Sequence, residues 1–127
     1  LLIIKIYVNM DDLVCVCSDS MLDFDNMSEF RVLMLIAGEC DAACSKCMAN
    51  KIIVNGIFLD TAVKKLSCCV QTVRNCVCSL CKKGFLLRDV RCRGVYYLNP
   101  YRIIKGVCCD IADIVGYLQG IGITIQY

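Results

Sequence analysis

The chain opens on "LLIIKIYV", an Ile- and Val-rich run over residues 1–8 that predicts a buried strand, closed by the polar "NMDD". Leu13 to Cys17 predicts a second short strand paired with the first. The acidic, turn-rich "SDSMLDFDN" follows. Ser28 then has N-cap chemistry, Glu29 suits a first helical turn, and "EFRVLMLIA" runs to Gly38, which can supply a left-handed C-terminal residue. This helix is apolar nearly all round, so it is expected to lie buried.

Further along, "KIIVNGIFLD" sets two β-rich runs around Asn55-Gly56 and predicts a tight hairpin, because both turn residues tolerate positive φ. Asp60 is placed to cap a helix from Thr61 to Asn75, with Ala62, Val63, Leu66, Cys69, Val70 and Val73 on its inner face. "GVYYL" reads as a strand. Asn99-Pro100 reads as the start of a helix over Tyr101 to Leu118, interrupted by Gly106 and Gly116, and "GITIQY" as a closing strand. The pattern predicts an α+β fold: one domain over residues 1–127 with short strands, a β-hairpin and about three helices.

Composition sharpens this picture. A chain of 127 residues that is 58% hydrophobic can bury one sizeable core. Its longest apolar runs, at residues 1–8 and 31–38, fall well short of the ~20 residues that span a bilayer, so no membrane span is expected. "LLIIKIYVNMDD" has neither a basic start nor a small-residue cleavage site, and is not expected to be a signal peptide. There are 13 cysteines and no histidine. An odd count, clustering into CxxC and CC, and a core large enough to need no staples favour a reducing, intracellular setting over a secreted disulfide scaffold.

In such a setting paired cysteines suggest zinc, which takes four thiolate or imidazole ligands in a tetrahedron. Cys44-Ser-Lys-Cys47 and Cys78-Ser-Leu-Cys81 each place two sulfurs at metal-binding spacing. Each pair also has a cysteine upstream, Cys40 and Cys76. The second pair continues into "KKGF", whose basic side chains favour the thiolate. Cys92, on an extended stretch, and Cys68, beside a predicted helix face, are the remaining candidate ligands. Without histidine, a zinc site here rests on these cysteines. The ordinary alternative for several of them is a small buried hydrophobe.

The order of CxxC pair, hairpin, helix and second CxxC pair over Cys40 to Cys109 resembles treble-clef, RING and U-box-like zinc modules. Together with the length, the cysteine array and the lack of Trp and His, it resembles the small RING-like proteins of baculoviruses. That resemblance implies a zinc-stapled core over residues 40–109, a place in a viral nucleocapsid or similar assembly, or a ubiquitin-ligase activity exercised by docking a conjugating enzyme. The chain departs from the RING pattern in having no histidine and, after Cys92, only Cys108-Cys109.

Charge adds a partner. Residues 1–60 hold four basic and nine acidic side chains, whereas residues 61–127 hold ten basic and three acidic. Lys82, Lys83, Arg88, Arg91 and Arg93 crowd together with Asp89 alone opposing them. An acidic partner fits this run. With little aromatic surface for stacking bases, an acidic protein surface, such as another subunit of an assembly, is expected ahead of nucleic acid. No P-loop, GxGxxG or histidine-activated nucleophile is present, so the reading is a non-enzymatic interaction protein.

Overall fold

The computed structural model describes residues 3–7, 13–17, 24, 26–41, 49–106 and 110–125; in the first two strands, side chains are described at Val14 and Val16 alone. The described elements run β1 (Ile3–Tyr7), β2 (Leu13–Cys17), α1 (Met27–Glu39), β3 (Lys51–Ile53), α2 (Gly56–Leu66), α3 (Val70–Lys82), β4 (Leu86–Arg88), β5 (Val95–Leu98), β6 (Ile103–Lys105) and α4 (Ile111–Gly120). The fold is α+β. Two three-stranded antiparallel sheets, ordered β1-β2-β6 and β3-β5-β4, share the helices between them.

Side-chain alternation along the second sheet explains how it is covered on both faces. Ile52, Leu86 and Leu98 join a core with Val14 and Val16 of β2, Ile103 of β6 and the buried faces of α1, α2 and α3. Their neighbours Leu87, Val95 and Tyr97 point the other way, onto Ile114, Val115 and Leu118 of α4 and onto Ile123 and Ile125 beyond it. Fully buried side chains of the Leu or Phe kind contribute roughly 1.5–3 kcal/mol each. Here Phe85, Leu33, Ile36 and Leu80 anchor the larger core.

The strand pair β1-β2, the buried α1 and the strand β5 match the apolar pattern. Other elements differ, each for a local reason. Asn26, rather than Ser28, caps α1, accepting a hydrogen bond from the Glu29 amide at 3.0 Å. The helix runs past Gly38 to Glu39, and Cys40 closes it in an extended conformation. Asn55-Gly56 forms no hairpin. The Asn55 side chain accepts from the Phe58 amide at 3.0 Å and starts α2, which buries Phe58, Leu59 and Ala62.

A single helix from Thr61 to Asn75 is likewise not formed. Ser67 adopts a left-handed conformation (φ 51°) that separates α2 from α3, and leaves Cys69 exposed as the α3 N-cap. Asn99-Pro100 makes a turn into β6. The buried Asn99 donates to the Gly84 carbonyl at 2.8 Å and accepts from the Tyr101 amide at 3.1 Å, and its own carbonyl takes the Ile103 amide. The hairpin in this region is β4-β5. Four helices are present among the described residues where about three were expected, and residues 123–125 pack into the core without strand pairing.

A buried lysine connects these parts. Lys105, 3% exposed, ends β6 and extends its ammonium to the carbonyls of Gly38 (3.1 Å) and Cys40 (2.7 Å) at the end of α1. That helix has no basic residue in its own last turn, so a cation from a distant strand meets its C-terminal dipole. The Lys105 backbone exchanges two hydrogen bonds with the buried side chain of Asn50, at 2.9 and 2.7 Å, and Asn50 also donates to the Asp41 carbonyl. Lys105→Met leaves these carbonyls without their donor and is expected to lower unfolding free energy by about 1–3 kcal/mol per orphaned group. Denaturant unfolding measures this, with the exposed Lys64→Met within about 0.5 kcal/mol of the parent. A similarly small effect for Lys105→Met would show that the clamp contributes little.

Candidate functional site

The stripe Val73, Cys76, Val77 and Leu80 buries α3 against the core at helical spacing, and carries the helix straight through the second cysteine cluster. Cys78 and Cys81 therefore lie on successive turns of a helix rather than on a zinc-knuckle loop. Three residues apart, they share a face. Cys78 is exposed and Cys81 half-buried. Burial pushes the Cys81 thiol up to about 11, even though the Arg88 guanidinium beside it pulls the other way. The basic neighbours were expected to favour the thiolate; here desolvation is the larger effect.

The other candidate ligands are dispersed. Cys40 is buried at the end of α1, where its thiol donates to the Ala37 carbonyl at 3.4 Å. Cys76 packs in the core, and burial, then the nearby Glu29 carboxylate, raises its thiol. Cys68 is half-buried against the same core, and Cys92 is exposed on the β4-β5 turn. Cys44 and Cys47 lie outside the described residues, as do Cys108 and Cys109. The seven cysteines whose side chains are described are free thiols. Among the described residues no three Cys, Asp or Glu side chains are grouped to hold a metal ion.

What the structure does bring together is charge. Arg74 and Cys78 from α3, Arg88 from β4, Cys92 and Arg93 from the β4-β5 turn and the Tyr96 ring of β5 line one cleft of about 720 Å³. The turn that carries Arg93 is held from within. Asp89, 3% exposed, receives the Arg91 backbone amide at 3.0 Å and both arms of its guanidinium at 3.1 Å. Gly94 sits at φ +80°, and a Cβ there would lie 3.0 Å from the Val54 carbonyl oxygen, so the turn fits closely against the end of β3. The Val54 amide donates to the Gly94 carbonyl at 2.8 Å. Arg88 lies over the Tyr96 ring, 5.8 Å from its centroid.

The five predicted basic residues divide by their partners. Lys83 pairs at 2.6 Å with the buried carboxylate of Glu29, which also accepts from the Ser79 hydroxyl at 3.0 Å and so ties the end of α3 to the start of α1. Arg91 is committed to Asp89. Lys82 is exposed and lines a smaller neighbouring cleft with Cys78, Cys81 and Arg88. Arg88 and Arg93 reach the main cleft. Arg74 joins them unforeseen; its signal was its place one helical turn before Cys78 on the exposed face of α3. Among the described residues, Arg74, Arg88 and Arg93 form no ion pair.

No family model, curated protein or solved structure matches the chain. No helix among the described residues is long and apolar enough to cross a membrane.

A second chemically distinct thiol is Cys69. Exposed at the start of α3, it lies 3.2 Å from the Thr72 hydroxyl. Hydrogen bonds from that hydroxyl and from the Thr72 and Gln71 amides hold the thiol below its ordinary range. Its sequence position had suggested a core residue. In chelator-treated protein at neutral pH, Cys69 is expected to react with iodoacetamide well before Cys76 and Cys81, and Thr72→Ala to slow it. Peptide mapping over time reads the order; Cys81 labelling first would contradict the assigned environments.

Acid should loosen the Arg93-bearing turn. The Asp89 carboxyl is held below the usual carboxylate range, first by the Arg91 hydrogen bonds. A group whose folded-state value is depressed stabilises fully above its unfolded value, about 3.9, and that contribution fades as pH falls through the lower folded value. Asp89→Asn should therefore lower the unfolding midpoint at pH 7 and narrow the gap to the parent below about pH 4. A gap that stays constant with pH would exclude the ion pair as its source.

Proposed function

We propose that this protein is a non-enzymatic interaction module that takes an acidic protein partner, another subunit of an intracellular assembly, in the arginine-lined cleft. The observation that carries the reading is the arrival of Arg74, Arg88 and Arg93 from three different elements at one cleft without ion-pair partners among the described residues. Gathering like charges is unfavourable in the free protein, and an acidic ligand removes that penalty. A scaffold already fixed by the Asp89–Arg91 pair and the Gly94–Val54 contact avoids much of the ordering that flexible basic side chains would need on binding. Tyr96 is the aromatic ring of the cleft, and Arg88 lies over it, which leaves no row of open rings for stacked bases.

Zinc belongs to the same proposal as a staple of the cysteine-rich part, supported by the spacing of the two CxxC pairs. A closed structural site needs four ligands. Cys78, exposed on α3, and Cys81, half-buried one turn on, would supply two, and Cys44 with Cys47 the other two.

Two measurements test these readings. In fluorescence anisotropy, a labelled Glu-rich peptide is expected to bind with an affinity that falls with salt and drops about tenfold or more on Arg93→Glu, while Lys64→Glu leaves it unchanged. Tighter binding of single-stranded DNA of equal charge would overturn the protein-partner reading. Metal analysis after purification under reducing conditions is expected to find zinc in the parent and loss of it in Cys78→Ser, an exposed position whose substitution spares the core. Full zinc content in that variant would refute the pairing of the two motifs.

A further inference from the structure

We infer that the ligand group seated in the cleft is a phosphate monoester on a partner's peptide side chain; this rests on the cleft being the partner-binding surface. Charge favours the monoester. Three arginines line one cleft, and Asp89, which also lines it, is already matched by Arg91. A single Asp or Glu carboxylate brings one negative charge and leaves two of the three cations uncompensated. A phosphorylated side chain brings about −1.5 to −2 at neutral pH.

The number of acceptor oxygens favours it too. Each guanidinium is a planar fork, and a monoester offers three terminal oxygens that can accept from several forks at once, where a carboxylate offers two. Arg74, Arg88 and Arg93 reach the cleft from three different elements, α3, β4 and the β4-β5 turn. Donors drawn from three elements around one cleft suit a compact tetrahedral anion. A nucleic acid backbone, with one charge per phosphodiester spread along a strand, calls for basic residues set out in a row.

The remaining lining suits a peptide side chain. Val54, Val77 and Val90 and the Tyr96 ring give the cleft an apolar wall beside the cationic one. At about 720 Å³ the cleft is far larger than a bare phosphate needs, and has room for the side chain that carries it. Arg88 lies over the Tyr96 ring, and the backbone beside Arg93 is pinned against Val54, so two of the three arginines are carried on an ordered part of the fold.

The test uses the full chain and labelled peptides of one sequence that differ at a single position: phosphotyrosine, phosphoserine or Glu. At least one phosphopeptide is expected to bind about tenfold or more tightly than the Glu peptide, as stronger charge-assisted bonding implies. Arg74→Gln and Arg93→Gln, checked for unchanged thermal unfolding, are each expected to remove most of that difference; Lys64→Gln is expected to keep it, and inorganic phosphate to compete. Equal affinity for the Glu peptide and both phosphopeptides would overturn the phosphate assignment while leaving the acidic-partner reading standing. Failure of all three peptides to bind would overturn both, and tighter binding of a single-stranded oligonucleotide would replace them with nucleic-acid recognition.

Discussion

A lysine ammonium placed in the interior must be met on several sides, because an unpaired buried charge is among the most unfavourable things a fold can contain. Lys105 is met by the carbonyls of Gly38 and Cys40, while its backbone is held by Asn50. Those contacts fix the end of α1, the last strand of the first sheet and the residue leading into β3 relative to one another. The layout of the second sheet follows, since Asn50 also gives its carbonyl to the Leu98 amide at the end of β5. That sheet carries one side of the cleft, through Arg88 of β4, Tyr96 of β5 and the turn between them.

The same principle recurs at smaller scale. Glu29 is buried and met by Lys83 and Ser79; Asp89 is buried and met by Arg91; Asn99 is buried and bonded to the backbone on both sides. None of these polar groups is left unsatisfied, and no buried side-chain nitrogen or oxygen among the described residues lacks a partner. Glu29 and Asn99 join segments that apolar packing alone would leave free to slide, and Asp89 fixes the shape of a single turn. The division of the basic residues follows from this: Lys83 and Arg91 are consumed by structure, and the arginines that remain can serve a ligand.

Elements with one dominant local signal were legible in the sequence. The Ile- and Val-rich β1 and β2, the apolar α1 and the aromatic-rich β5 have no competing interpretation. Asn55-Gly56 did, because an asparagine that can turn a hairpin can also cap a helix, and the burial of Phe58, Leu59 and Ala62 decides for the helix. The CxxC spacing of Cys78 and Cys81 suited a metal loop, yet the stripe from Val73 to Leu80 already marked that segment as helical. Of the cleft, Arg88 and Arg93 stood out through crowding, whereas Arg74 belongs to it only once α3 lies beside the hairpin. The pairing of Glu29 with Lys83 spans 54 residues and has no local trace.

The order β1-β2-β6 has a consequence for the chain as it is made. β1 and β2 pair locally and form early, but Val14 and Val16 face a core whose helices come later, and β2 gains its other neighbour only when Ile103–Lys105 has been synthesised. Closing so long a loop is entropically slow. During that interval one edge of β2 presents unpaired backbone groups beside apolar side chains, the form of surface that strands of other chains add to. The segment that carries β6 thus acts as a built-in guard for the β1-β2 hairpin, and a chain cut short before residue 103 would leave that hairpin open to intermolecular pairing.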